Sequence, residues 1–293
     1  MIYMKSLSLK IVTLWYALAL VVPLYINQFY SPFLNIWLEI LFLHIIATVI
    51  IYIGSIVHKN SSLYDPFWSV APIPIVLYFC LHHDTNISIV NSLLIAIPIL
   101  IWAIRLTRNW VISWPGFIHE DFRYVDLKKG NKFRLEFINF TGIHLIPTLQ
   151  VNVSLLPIYF LFTSNNLNNV SFLLLFASLF SIFAVIIETI ADEQMREFRK
   201  DDLNKGKTMN KGLWRLSRHP NYFGEVMFWV GLYLMAILTV ETPLWLMVSP
   251  VSMIMLFVFI SCPMMDNRSL KNRDDYKNYM DRTPQLFLWF PKK

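Results

Sequence analysis

NVSFLLLFASLFSIFAVIIETIA, residues 169–191, is an unbroken apolar run with a single charged residue, Glu188. A helix needs roughly 17–25 mostly apolar residues to cross a bilayer, and this run meets that length. Comparable runs recur at about 9–27, 33–57, 66–82, 87–106, 137–163, 222–240 and 243–263. Several carry proline (Pro72 and Pro74, Pro98, Pro147 and Pro157, Pro250). Helix neighbours in a bundle re-satisfy the freed carbonyls, so these positions are read as kinks. The expected fold is an all-α integral membrane bundle of about eight helices (seven or eight), with 66–82 the shortest. Of the 293 residues 56% are hydrophobic and 15% charged. Soluble domains carry about a quarter charged residues, and no hydrophilic stretch here is long enough for a separate soluble domain. A single membrane domain over 1–293 is expected. Residues 9–27 follow a basic start without a small-residue cleavage site, so they read as a retained helix rather than a signal peptide.

Charge then sets the orientation. With the N-terminus inside, the inside segments are 1–8, 58–65, 105–136, 192–221 and 264–293. All 25 Lys and Arg residues fall on that set, counting Lys10 and Arg105 as helix ends. The outside connections, about 28–32, 83–86, 164–168 and 241–242, contain none. Positive residues favour the cytoplasmic side, so both termini are expected inside. The net charge of +6 is thereby explained without a nucleic-acid partner. Three inside segments run to about thirty residues each, and long loops tend to be functional. The site is expected to face the cytoplasm.

Cys80 and Cys262 are the only cysteines, which gives neither a disulfide framework nor a metal pattern; no metal is expected. Eight glycines occur without a single Gly-x-Gly pair, so neither a dinucleotide fingerprint nor a phosphate loop is available. Any nucleotide must be held by side chains and helix ends. Glu188, Asp192, Arg196 and Arg199 are spaced 4, 4 and 3, one narrow stripe of a helix. The stripe leaves the apolar run for the inside loop. Its carboxylates can accept from ribose or amide groups, and its guanidiniums can fork onto phosphates. On a solvated helix the same spacing would make only a weak salt-bridge ladder; the depth of Glu188 argues for more. Asn221 and Glu225 also share a helix face. Glu225 lies one turn inside an apolar helix, where a carboxylate marks a site by default. A structural pairing with Arg215 or Arg218 is the competing explanation. Asp65, before Pro66, reads first as a helix cap, and His44 and His144 as satisfied bundle residues. Interfacial anchoring accounts for the aromatic tail Phe287-Leu288-Trp289-Phe290-Pro291.

The stretch Leu216-Ser217-Arg218-His219-Pro220-Asn221-Tyr222-Phe223-Gly224-Glu225 resembles the steroid 5-alpha-reductase superfamily, in particular its broad branch of uncharacterised multispanning membrane proteins. Upstream, Glu188-x-x-x-Asp192-x-Gln194-x-x-x-Phe198-Arg199 is similar as well. So are Tyr276-x-x-Tyr279-x-x-x-Thr283 and the ending Trp289-Phe290-Pro291, so the likeness covers roughly 180–293 as a reductase-like C-terminal portion. Leu63-Tyr64-Asp65-Pro66-Phe67-Trp68 and Glu120-Asp121-x-Arg123-Tyr124 also look like that branch. The resemblance implies NADPH held between cytoplasmic loops and helix ends. It implies reduction of a C=C bond conjugated to a carbonyl in a steroid-like or other lipid substrate. By position, Asn221, Glu225, Asp192, Arg199 and Glu188 fall at cofactor contacts, with Arg218, His219 and Tyr222 in the same motif. Arg196, Arg268 and Tyr276 complete the expected cofactor set. Steroid reductases polarise the carbonyl with a glutamate and a tyrosine on earlier helices. Here Asp65 is the best candidate for the carboxylate, and Arg105 stands where a tyrosine might be, so Asp65, Arg105 and Glu225 form the expected catalytic group.

Two other readings compete. Membrane methyltransferases acting on prenylated cysteine or phospholipid share an Arg-His-Pro-x-Tyr segment and use S-adenosylmethionine. The Asn221-Tyr222-x-Gly224-Glu225 order favours the reductase. A membrane protein without turnover is the third, and intramembrane acids argue against it because they are costly to keep. The expected partners are the bilayer and a small apolar, lipid-like substrate.

Overall fold

The computed structural model describes residues 2–30, 33–82, 87–128, 132–164 and 167–292; the outside connection expected at 83–86 lies outside them. Among the described residues there is no β-strand, only an isolated parallel bridge between Ile87 and Leu167. Eight helical spans are long and apolar enough to cross a membrane. They are α1 (Met4–Phe29), α2 (Ile36–Val57), α3 (Ser61–Leu81), α4 (Ile89–Ser113), α5 (Phe133–Thr163), α6 (Phe172–Lys200), α7 (Pro220–Thr239) and α8 (Leu244–Asn272). Each coincides with one of the eight apolar runs. A short helix, α9 (Tyr276–Arg282), follows. The chain is an all-helical, multi-pass integral membrane protein.

The run 169–191 shows why. In α6 the large apolar side chains Leu173, Phe176, Leu179, Phe183, Ile186 and Ile190 point outward, each 45–60% exposed. The small or polar residues Ala177, Ser178, Ser181, Ala184 and Glu188 face inward and are buried. A water-soluble helix shows the reverse pattern. In lipid, where tails are as apolar as leucine, small residues at the interface let helices approach and pack.

The chain divides into two compact units, Met1–Thr85 with Trp102–Phe162, and Asn86–Ile101 with Thr163–Lys293. In the first unit, Val12, Ala19, Ala47, Ile51, Leu63, Tyr64, Phe67, Ala71 and Trp114 form a core. Polar side chains pair across α2 and α5 in three rungs. Ser55 Oγ lies 2.9 Å from His144 Nε2. The hydroxyls of Thr48 and Thr148 are 2.7 Å apart, with the Tyr64 phenol 2.8 Å from Thr148. The Asn152 amide donates to His44 Nδ1 at 2.6 Å and to the Thr148 carbonyl at 2.9 Å. A π-helical stretch, Asn139–Leu145, precedes Pro147. One extra residue per turn re-aims the side chains after it, which is how such bulges come to sit at special places. His144 meets Ser55 from within this stretch and donates from Nδ1 to the Asn139 carbonyl at 2.8 Å.

In the second unit α6 and α7 approach most closely. A Cβ built on Gly231 would lie 2.1 Å from Ser181 Oγ, and one on Gly224 would lie 2.7 Å from Glu188 Cβ. Both glycines are therefore required by space. A second π-helical stretch, Phe257–Ser261, interrupts α8 and precedes the turn carrying Asp266. Asn91, near the start of α4, donates to the carbonyls of Leu167 and Asn169 at 2.8 Å each, closing the connection that leads into α6.

Gly231→Ala is expected to lower stability by about 1–3 kcal/mol through overpacking. Gly142→Ala, whose added Cβ would meet only Ile138 Cγ2 at 3.7 Å, is expected to change it by less than about 1 kcal/mol. Thermal unfolding of both variants in detergent checks the contrast; equal losses would contradict the close approach of α6 and α7.

Candidate functional site

The acidic stripe on α6 is present as the spacing predicts. Glu188 is 4% exposed, Asp192 and Arg196 are half-buried, and Arg199 is exposed at the helix end. From α7, Asn221 Nδ2 donates to Asp192 Oδ1 at 3.2 Å. One turn further on, Glu225 is 4% exposed and accepts from the indole of Trp229 at 2.9 Å. Glu188 packs against Gly224, the neighbour of Glu225 in the chain. The seam between α6 and α7 thus gathers Glu188, Asp192, Asn221 and Glu225. Arg199 feels the charges of Arg273 and Arg268, partly offset by Asp192 on its own helix. Like charges beside Arg199 are unfavourable, and an anion there would relieve that cost. Arg196 pairs with Glu193 at 2.7 Å.

The loop between α6 and α7 is tied down at several points. Gln194 accepts from the Leu213 amide at 2.9 Å, and the Trp214 indole donates to the Ala191 carbonyl at 2.9 Å. Gly212 adopts φ +58° against the Gln194 side chain, where a Cβ would come within 2.5 Å. Asp275 accepts from the Thr208 amide at 3.0 Å and from its hydroxyl.

Three of the expected cofactor residues meet at one buried carboxylate. Arg218, His219 and Tyr276 converge on Asp266, which is 3% exposed. Arg218 reaches both carboxylate oxygens, at 2.9 and 3.3 Å, and also donates to the carbonyls of Met280 and Thr283 at 3.0 and 2.9 Å. His219 Nε2 lies 2.8 Å from Asp266 Oδ1, and the Tyr276 phenol donates to the same oxygen. Tyr279 donates to the carbonyls of Trp214 and Ser217. Backbone bonds from Arg218 to Pro284 and from Trp289 to Leu216 then seat the tail. This node is buried and its donors are directed inward, so Arg218 is not the partner of Glu225. Tyr222 stacks on His219 with centroids 5.4 Å apart. The tail presents Phe287, Trp289 and Phe290 outward, each more than 60% exposed.

In the first unit Asp65 does not act as a helix cap. Pro66 occupies the cap position of the following helical turn, without a side-chain cap bond. The Asp65 carboxylate instead accepts from the Tyr124 phenol and lies 3.8 Å from Arg123. Asp121 caps the short helix Phe122–Leu127 through the Arg123 amide at 2.9 Å and also binds the Arg123 guanidinium, which fixes Tyr124 over Asp65. Burial first, and the Asp65 carboxylate second, hold the Tyr124 phenol well above its ordinary 10.0. The phenol therefore keeps its proton. Arg105 lies half-buried on α4. In the sequence Tyr124 stands only within a motif, and its 59-residue separation from Asp65 carries no periodic signal.

Burial, and then Asp266, raise the Tyr276 phenol above its ordinary 10.0. A raised folded-state value contributes stability that is full below the unfolded value and is lost as pH climbs through the folded one. The tail should therefore become accessible to limited proteolysis only above pH 10, and Tyr276→Phe should remove that alkaline step. Tail release at neutral pH in the parent protein would contradict the clamp.

The model for "Protein of unknown function (DUF1295)" matches residues 51–283. "Uncharacterized protein C594.04c" of Schizosaccharomyces pombe is 24% identical over 252 residues, covering 78% of this chain and 73% of that protein. No solved structure matches significantly. The family match takes in every candidate site residue from Asp65 to Tyr276, and the chain belongs to the DUF1295 family.

Proposed function

We propose that the protein is a membrane oxidoreductase that uses NADPH to reduce a C=C bond conjugated to a carbonyl in a lipid-like substrate. The observation that carries this reading is the α6–α7 seam. Asn221 contacts Asp192 at 3.2 Å, beside two carboxylates, Glu188 and Glu225, each 4% exposed. At the end of the same helix Arg199 shares its surroundings with Arg268 and Arg273. Acids and amides suit ribose hydroxyls and the nicotinamide amide, while clustered guanidiniums suit phosphates. The chain lacks a glycine-rich phosphate loop, so this side-chain set is the kind of grip an anionic coenzyme requires. In this reading the seam faces the cytoplasm, where the coenzyme is available, and the apolar substrate arrives from the bilayer.

When bound, NADPH supplies the hydride. The chain's own part is to orient the coenzyme through Asp192, Asn221 and Glu225 and to neutralise its phosphates through Arg199 and Arg268. In the first unit the Tyr124 phenol, which burial keeps protonated, donates to Asp65, and no step with the coenzyme is assigned to that pair. Arg105 and Arg196 are assigned no atom-level role. Arg218, His219 and Tyr276 act through position, holding the loop that begins α7.

Purified protein in detergent, titrated with NADPH, NADH and S-adenosylmethionine while thermal unfolding is followed, tests the reading. NADPH at 100 times its Kd should stabilise by about 2.7 kcal/mol. Glu225→Gln and Arg199→Ala should each weaken that response. Stabilisation by S-adenosylmethionine alone would instead support a methyltransferase and overturn the proposal.

A further inference from the structure

The first unit carries a second feature, independent of the seam on α6 and α7. Val49 and Tyr52 of α2, with Phe133, Glu136, Phe137 and Phe140 at the start of α5, line an open groove of about 440 Å³. That size lies within the roughly 300–1,000 Å³ of small-molecule sites. Phe133, Phe137 and Phe140 follow at intervals of 4 and 3, so one face of the helix is aromatic. The Tyr52 and Phe140 rings meet with centroids 5.0 Å apart and planes at 58°, two walls of a corner. Behind Tyr52, His144 packs edge-on at 5.3 Å and fixes that wall. Phe133 and Phe137 are 83% and 61% exposed, so the remaining faces are open.

Glu136 gives the groove its sign. Its carboxylate is half-buried and accepts from the Tyr52 phenol at 3.2 Å. It forms no ion pair with a described residue, although lysines and arginines crowd this end of the chain's helices. A carboxylate at the edge of an apolar phase without a cation is costly. Electron-rich ring faces attract a cation within about 6 Å of their centroids, and quaternary ammonium groups are recognised by aromatic cages of this composition. A hydrated metal ion would need several oxygen ligands, whereas the groove supplies one carboxylate and one phenol among hydrocarbon and rings.

We propose that this groove is a headgroup site for a choline-bearing membrane lipid. The trimethylammonium lies against Tyr52, Phe137 and Phe140 and faces Glu136, while the acyl chains run along the exposed apolar surface of α2 and α5. Binding of this kind ties the first unit to lipid composition and does not depend on which coenzyme the seam takes.

Native mass spectrometry of the full chain in a maltoside detergent tests it, with dihexanoyl phosphatidylcholine and the phosphatidylglycerol of equal chain length as probes. The choline lipid should bind at least about fivefold more tightly than the glycerol lipid. Glu136→Gln and Phe137→Leu should each abolish that preference; Phe137 is exposed, so its variant folds. Equal binding of the two lipids, or an unchanged preference in both variants, would overturn the proposal.

Discussion

The close approach of α6 and α7 is the constraint on which the second unit is built. Two glycines, Gly224 and Gly231, leave room on α7 for Glu188 and Ser181 of α6, and a Cβ on either glycine would collide with its neighbour. Between lipid-bathed helices there is no hydrophobic gain from association, so backbone proximity and van der Waals packing supply the attraction. That proximity also shuts Glu188 and Glu225 away from lipid, which a carboxylate could not face. Asp192 and Asn221 come into contact at the mouth of the same seam. Packing and site are consequences of one geometry.

The motif 216–225 serves two purposes, and the structure separates them. Asn221 and Glu225 turn toward α6. Arg218 and His219 turn toward Asp266 and, with Tyr276, bind the C-terminal segment to the start of α7. Truncating one partner of such a buried charge pair leaves the other uncompensated and typically costs 3–5 kcal/mol. Loss of function on changing Arg218 would therefore report on folding, whereas changes at Asn221 report on the seam.

The eight spans were legible in the sequence because length and hydropathy are local properties. The stripe Glu188, Asp192, Arg196, Arg199 was legible because helical spacing puts residues three and four apart on one face. Its fine structure was not: Arg196 pairs within its own turn with Glu193, outside the stripe. The Asp65–Tyr124 and Arg218–Asp266 pairs span 59 and 48 residues, beyond the reach of any periodicity. The cap expected of Asp65 lost to that long-range partner. The π-helical stretches at 139–145 and 257–261 carry no distinctive composition, yet they sit just before the turns bearing Pro147 and Asp266. The polar rungs between α2 and α5 were half-visible: His44 and His144 were expected to find partners within the bundle, but not which ones.

The seam's role is tested most directly by a double-mutant cycle on NADPH affinity, using Asp192→Ala, Asn221→Ala and the pair. Residues that touch and grip one ligand couple by about 0.5–3 kcal/mol, while independent sites add to within about 0.3–0.5 kcal/mol. Coupling in the first range is the expected result. Strict additivity, or NADPH affinity indifferent to both substitutions, would contradict a coenzyme grip built where α6 meets α7.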